Sequence, residues 1–145
     1  MDEKEVEEAP GHLTDAQAAA LPLTGLTGWR ALVSKSGNAE KGRNILVTGI
    51  GGGVALNVLQ FAVALGANVW VTSGSREKID RAVKEGARGG VSYKSEGWEK
   101  ELRGMLPGDR PYLDAVVDGA GGDVIAKGVK LLKVRCLLAE LGLEK

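Results

Sequence analysis

The residues with the clearest chemical potential form a glycine-rich turn, the stretch TGIGGGVA from Thr48 to Ala55. In a dinucleotide site the first glycine makes a tight turn, and the second lets the backbone approach the pyrophosphate. The helix that follows presents free N–H groups and a positive dipole to the anion. Gly49 and Gly51 fit these two roles, and the predicted pyrophosphate contacts are Gly49, Gly51, Gly52, Gly53 and Val54.

The match to the full G-x-G-x-x-G pattern is incomplete, because Val54 stands where the third glycine would be. We therefore expect either that the helix and the strand pack slightly farther apart or that the turn differs. A glycine cluster taken alone is often only a tight turn. The strand before it and the apolar helix after it favour the binding interpretation.

The end of the second predicted strand lacks the acidic residue with which NAD enzymes bind the ribose 2′-hydroxyl. The chain has Thr72-Ser-Gly-Ser-Arg76 there, with Lys78 shortly after. Hydroxyls and cations suit a 2′-phosphate, so NADP(H) is predicted over NAD(H), with Ser73, Ser75, Arg76 and Lys78 as contacts. The alternative is that Arg76 and Lys78 are only solvent-exposed side chains on a surface helix and bind no ligand.

A second glycine turn, from Asp118 to Gly122, follows the fourth predicted strand. In an open parallel sheet, ligands bind beyond the carboxyl ends of the strands at the switch point. We therefore predict that Asp118, Gly119, Ala120 and Gly121 approach the ribose or the nicotinamide. Asp118 and Asp123 could instead cap the next helix, and capping is the preferred interpretation for Asp123.

These turns belong to an alternation of short apolar strands and longer helices, which is typical of an α/β fold with a parallel sheet. The predicted strands are 44–48, 68–72, 90–93 and 115–118, and the predicted helices are 54–65, 76–85, 97–106 and 123–132. The predicted fold is a three-layer αβα, Rossmann-type, doubly wound sheet of four to five strands. Residues 134–145 suit a helix, although 136–139 could form a short fifth strand.

The N-terminal part is predicted to be helical after an acidic tail or linker remnant at residues 1–12. Thr14 and Gln17 match a capping box, and a short helix from there is expected to be limited by Pro22. A second helix is expected at about 27–36, where Gly37 and Asn38 supply the stop signal. Residues 13–145 would then form one domain.

Composition argues against several other classes of protein. Lys plus Arg and Asp plus Glu both number 19, so no net charge attracts nucleic acid or an anionic membrane. Residues 44–75 carry no charge and could be mistaken for a membrane span, but their glycines, asparagines and glutamine favour buried strands. Cys136 is the single cysteine, and the N-terminus is acidic, so a cytoplasmic location is predicted.

The chain resembles the medium-chain dehydrogenase/reductase superfamily, on its quinone-reductase-like and zinc-type alcohol-dehydrogenase-like side. The resemblance covers about residues 11–133, and the stretches that carry it are 18–32, 45–55, 74–78, 91–94 and 114–122. It implies a nucleotide-binding domain of an NADP-dependent oxidoreductase that transfers hydride to a carbonyl or an activated alkene. It also implies that Thr27 lies near the nicotinamide and that Lys78 and Tyr93 contact the 2′-phosphate.

Two departures from this family change the expectation for the chain. We expect it to lack the family's N-terminal GroES-like catalytic domain, and its C-terminus differs from the family pattern, so the chain is expected to be truncated and inactive alone. One histidine, His12, and one cysteine cannot build the family's zinc sites, so no zinc is predicted. A homodimer through the exposed sheet edge is expected, and a stand-alone interaction module or an inactive truncated product is the alternative function.

Overall fold

The computed structural model describes residues 8–133 and 138–140, and its centre is a parallel sheet. The strands are β1 Asn44–Val47, β2 Asn68–Ser73, β3 Gly89–Ser92, β4 Ala115–Asp118 and β5 Leu138–Glu140. They lie in the order β3-β2-β1-β4-β5. The order reverses between β1 and β4, which is the switch point of a doubly wound sheet. The predicted Rossmann-type fold is therefore confirmed.

Helices connect the strands in the predicted alternation. They are α1 Asp15–Trp29, α2 Gly53–Ala64, α3 Arg76–Lys84, α4 Trp98–Met105 and α5 Asp123–Val129. The four strands and four helices predicted after residue 43 all exist, with ends that differ by up to three residues. Among the described residues, no helix is both long and apolar enough to cross a membrane.

The core lies on both faces of the sheet because side chains alternate along each strand. In β1, Ile45 and Val47 face a cluster that includes residues of α2 and α3, whereas Leu46 faces a second cluster. That second cluster contains Trp98 and Leu102 of α4. Buried apolar side chains therefore lie between the sheet and the helices on each of its two faces, as in a three-layer αβα fold.

The prediction of two short helices near the N-terminus, separated at Pro22, is wrong. Thr14 does form the predicted capping box with Gln17, but α1 continues through Pro22 to Trp29. A π-helical segment, Arg30–Lys35, then extends it without a break. Packing against α2 holds this long helix together, and such tertiary contacts routinely override the helix-breaking tendency of one residue.

For the C-terminal residues the sequence left both a helix and a short strand open, and the structure decides between them for three residues. Residues 138–140 form β5, which pairs in parallel with β4 through Val116, Val117 and Asp118. The remaining residues of 134–145 lie outside the described part of the chain. Association of two copies through the sheet edge stays a prediction.

Candidate functional site

The first glycine turn connects β1 to α2 at the carboxyl end of the sheet. Gly49 has a φ of 63° and Gly51 a φ of 122°, a region that side-chain-bearing residues rarely adopt. α2 begins at Gly53, and its N-cap residue, Gly52, has no side chain that could accept a hydrogen bond from the first N–H groups of the helix. Because Gly51, Gly52 and Gly53 are exposed, the first N–H groups of α2 are accessible to an anion.

Val54, at the third position of the glycine pattern, lies in the first turn of α2 at the contact with α1. A Cβ at Gly28 of α1 would lie 3.1 Å from Cγ2 of Val58 and 3.4 Å from the Val54 carbonyl oxygen. Gly28 thus allows α1 to approach α2 closely at Val54. Whether Val54 moves α2 away from β1 stays a prediction. Thr24 of α1, which the sequence did not single out, also lies against the turn: a Cβ at Gly53 would be 3.0 Å from its Cγ2.

The predicted 2′-phosphate residues follow β2, and the structure gives them different surroundings. Ser73 is buried, and its hydroxyl oxygen accepts a hydrogen bond from the Ser75 N–H at 3.1 Å. Arg76 is exposed and pairs with Asp80 at 3.0 Å. Lys78 lies over the first glycine turn, because a Cβ at Gly51 would be 3.2 Å from its Nζ.

Tyr93 and Lys94, which follow β3, lie against Gly74 in the turn that follows β2. A Cβ at Gly74 would lie 2.7 Å from the Tyr93 hydroxyl oxygen and 2.8 Å from Cε of Lys94. Both side chains are exposed to solvent. The sequence identified Tyr93 but missed Lys94. The signal was available, because the end of the strand that pairs with β2 must lie beside the end of β2.

The second glycine turn follows β4 and contacts the first turn directly. A Cβ at Gly49 would lie 3.2 Å from the Cβ of Ala120. The Gly119 N–H donates to the Thr48 hydroxyl oxygen at 3.2 Å, and the Gly121 N–H donates to Oδ2 of Asp118 at 2.9 Å. The two turns predicted to meet at the switch point are therefore adjacent.

Two predicted positions have a local role in their own helices. Asp123 was preferred as a helix cap, but Gly122 is the N-cap residue of α5 and Asp123 is the first residue of the helix. Its carboxylate pairs with Lys127 at 2.9 Å, and that hydrogen bond lowers the pKa of Asp123. Thr27 is partly exposed, and its hydroxyl donates to the Leu23 carbonyl oxygen at 2.6 Å.

Comparison with known proteins identifies the family. Residues 53–145, more than half of the chain, match the model of the zinc-binding dehydrogenase family. The chain belongs to this family. It is thus a member of the medium-chain dehydrogenase/reductase superfamily, as the sequence motifs indicated, and its relatives are oxidoreductases of the alcohol dehydrogenase and quinone reductase type.

Individual relatives agree with this assignment. The chain is 57% identical over 133 residues to the zinc-type alcohol dehydrogenase-like protein YogA of Leptosphaeria maculans, covering 90% of this chain and 37% of that protein. It superposes on an NAD-dependent alcohol dehydrogenase with a TM-score of 0.83 at 36% identity, covering 91% of this chain and 38% of the other. An Escherichia coli quinone oxidoreductase complexed with NADPH gives a TM-score of 0.80 at 30% identity, with 91% and 40% covered. The chain therefore spans well under half the length of these proteins.

The family name raises the question of a zinc ion. Across residues 8–133 and 138–140, no three His, Cys, Asp or Glu side chains lie close enough together to hold a metal. The described residues therefore do not fit a zinc site. That the chain binds no zinc stays a prediction.

Proposed function

We propose that this chain is the NADP(H)-binding part of an oxidoreductase that transfers hydride between NADP(H) and a carbonyl, an alcohol or an activated alkene. The observation that carries the proposal is the meeting of two glycine turns at the switch point, beside a strand end that bears hydroxyls and lysines. The solved relatives include one NAD-dependent enzyme and one NADPH complex. The preference for NADP(H) is accordingly argued from residues of this chain.

The first glycine turn and the N-terminus of α2 would hold the pyrophosphate. The N–H groups there are accessible, and Gly49 and Gly51 carry no side chain of their own that would keep the phosphates from the backbone. Gly52, Gly53 and Val54 would complete this contact. The second turn, with Gly119, Ala120 and Gly121, would lie along the nicotinamide half, and Thr27 of α1 would border the nicotinamide.

The strand end after β2 would select the 2′-phosphate. Lys94 and the Tyr93 hydroxyl lie against Gly74 just after β2, and Lys78 of α3 lies over Gly51 of the first glycine turn, from where it would reach the same phosphate. Ser75 follows Gly74 directly. Arg76 is paired with Asp80, so we expect it to contribute less than the two lysines. No carboxylate occupies residues 72–75, where it would repel a phosphate.

Bound NADP(H) would supply the hydride, and the chain's own residues would bind and orient the dinucleotide. In the structure Gly51, Gly119 and Ala120 are exposed to solvent, so this edge of the sheet is open to water. Hydride transfer benefits from a closed, dry cleft. We therefore propose that the chain alone binds the dinucleotide with little turnover, which is the alternative of an inactive binding module.

Titration of the 145-residue chain with NADPH and NADH, followed by nicotinamide fluorescence, tests the binding proposal. We expect saturable binding with a lower Kd for NADPH. Equal or tighter binding of NADH would contradict the 2′-phosphate argument, and absence of binding by either would overturn the whole proposal. Adding a quinone or an aldehyde to the NADPH complex then tests turnover, which we expect to be slight.

The Lys78→Ala variant tests the role of the lysine. Removing one charge-assisted contact to the 2′-phosphate is expected to weaken NADPH binding about tenfold. Binding of NADH, which lacks that phosphate but shares the pyrophosphate beside Gly51, should weaken by a smaller factor. Lys100→Ala is the matched control, because Lys100 is an exposed lysine on α4, across the sheet from α3. An equal loss for both nucleotides would contradict the assignment.

A further inference from the structure

Beneath the two glycine turns lies a buried polar pair, Thr48 and Asp118. Thr48 has no exposed surface, and Asp118 is 5% exposed. The Thr48 hydroxyl donates a short hydrogen bond to Oδ1 of Asp118. Thr48 directly follows β1 and Asp118 ends β4, so this bond crosses the switch point of the sheet.

Each of the three side-chain oxygens of this pair is hydrogen-bonded to another group of the chain. The Thr48 oxygen also accepts the Gly119 N–H, and Oδ2 of Asp118 accepts the Gly121 N–H. The carboxylate therefore points into the second turn and not toward a ligand on its surface. A carboxylate that is this buried is kept in place by the hydrogen bonds it accepts.

The pair also fixes the distance between the two turns. Gly49 follows Thr48 directly and lies against Ala120, so a shift of Thr48 moves one turn relative to the other. On its other side the first turn is bound to β2, where the Ile50 N–H donates to the Thr72 carbonyl oxygen at 2.9 Å. The first turn is thus held to β2 by a main-chain hydrogen bond, whereas the position of the second turn depends on Thr48 and Asp118.

We propose that Thr48 and Asp118 are positioning residues that set the spacing of the two glycine turns, so that one dinucleotide can contact both. This rests on the proposed function. It gives Asp118 a role beneath the site, where the sequence suggested direct contact with the cofactor. A ligand that spans both turns depends on the pair, whereas a ligand that reaches only the first turn and the end of β2 does not.

Two probes separate these cases. NADPH is long enough to span both turns, and adenosine 2′,5′-bisphosphate carries only the half that would bind at α2 and β2. For Thr48→Val, which keeps the shape and removes the hydroxyl, we expect NADPH binding to weaken about tenfold, the loss of one charge-assisted hydrogen bond. Binding of the bisphosphate should stay within about twofold of the unmodified chain. Thr48→Ser, which restores the hydroxyl, should recover NADPH binding.

Ser36→Ala is the matched control, because Ser36, at the end of the π-helical segment, also has a buried hydroxyl that donates within the chain, to the Leu32 carbonyl oxygen at 2.5 Å. It should leave both affinities unchanged. Asp118→Asn, which removes the acceptor of the Gly121 N–H or of Thr48, provides a second variant with the same expected pattern. Circular dichroism checks that each variant is folded.

The outcomes are distinct. Equal weakening of both probes, or failure of Thr48→Ser to recover NADPH binding, would overturn the positioning role. If NADPH and the bisphosphate both fail to bind the unmodified chain, the proposed function itself fails, and this role with it. Selective loss of NADPH binding in Thr48→Val and Asp118→Asn supports the positioning pair.

Discussion

At the scale of single residues, Gly74 controls the surface that would receive a 2′-phosphate. Its missing side chain leaves room for the Tyr93 hydroxyl and for the stem of Lys94. We expect Gly74→Ala to displace both groups and to weaken NADPH binding about fivefold to tenfold, with little change for NADH. Paired fluorescence titrations measure the two affinities.

The effect on folding separates this variant from general damage. The displaced atoms are the ends of flexible side chains, so the free energy of unfolding should change by less than about 1 kcal/mol. Gly104→Ala on α4 is the control, because a Cβ there meets nothing within 4 Å. That control should raise stability by roughly 0.5–1 kcal/mol and leave both affinities unchanged. Equal weakening of NADPH and NADH in Gly74→Ala would contradict the prediction.

Sequence reasoning identified the residue types of the site better than their contacts. The glycines and the hydroxyls after β2 could be found because they follow predicted strands, whereas Tyr93 was indicated only by the resemblance to the family. The buried partners could not, because the hydrogen bond between Thr48 and Asp118 joins positions far apart in the chain. Lys94, the residue after Tyr93, was missed, and the pairing of β3 with β2 is what places it beside the end of β2.

At the scale of elements, α1 depends on its contact with α2. Gly28 allows the two helices to approach at Val54 and Val58, and the Asn57 side-chain amide donates to the Thr24 hydroxyl oxygen at 3.0 Å. Trp29 and Phe61 add an edge-to-face ring contact at 5.5 Å. We expect Gly28→Leu to separate the helices and to lower the free energy of unfolding by about 1–3 kcal/mol. Urea titration followed by circular dichroism measures this loss.

Ala20→Leu serves as the control, because it adds a similar side chain at an exposed position of the same helix. Its effect should stay within about 0.5 kcal/mol. If Gly28→Leu is no more destabilising than this control, the packing of α1 on α2 does not hold the helix.

The same contact explains where element prediction from the sequence failed. The strands and the helices after residue 43 have strong apolar periodicity or flanking glycines, so local signals suffice to place them. Pro22 is a local signal for a helix end, yet α1 runs through it. Non-local contacts with α2 stabilise this helix, and no pattern within residues 13–36 reports them.

At the scale of the whole molecule, the two ends of the sheet differ. The carboxyl end carries the open glycine turns, whereas the amino end is closed by charged side chains. Asp114, whose side chain is fully buried, accepts two hydrogen bonds from Arg110 at 2.6 and 2.8 Å, one from Arg43 at 3.3 Å and one from the Asn44 N–H at 2.8 Å. This cluster joins the starts of β1 and β4 and keeps the two central strands in register.

The cluster makes a specific contribution to stability in acid. Burial alone would raise the pKa of Asp114, but the hydrogen bonds from Arg110, Asn44 and Arg43 outweigh it and lower that pKa. A carboxylate with a lowered folded-state pKa contributes stability that is fully present above its unfolded-state pKa. That contribution is lost as the pH falls through the folded-state pKa. The wild-type chain should therefore lose stability in acid faster than a chain without this carboxylate.

Asp114→Asn removes the charge and keeps the size of the side chain. We expect it to lower the free energy of unfolding by about 3 kcal/mol at neutral pH, because two arginines lose their buried counter-charge and one of the two acceptor oxygens becomes an NH2 donor. The difference from wild type should shrink as the pH falls, since protonation removes the same charge from Asp114. Asp109→Asn, at an exposed aspartate five residues earlier, should change stability by less than about 0.5 kcal/mol at neutral pH. Urea unfolding at a series of pH values measures the stability of all three chains. If the difference between wild type and Asp114→Asn stays constant down to low pH, the carboxylate charge does not stabilise this end of the sheet.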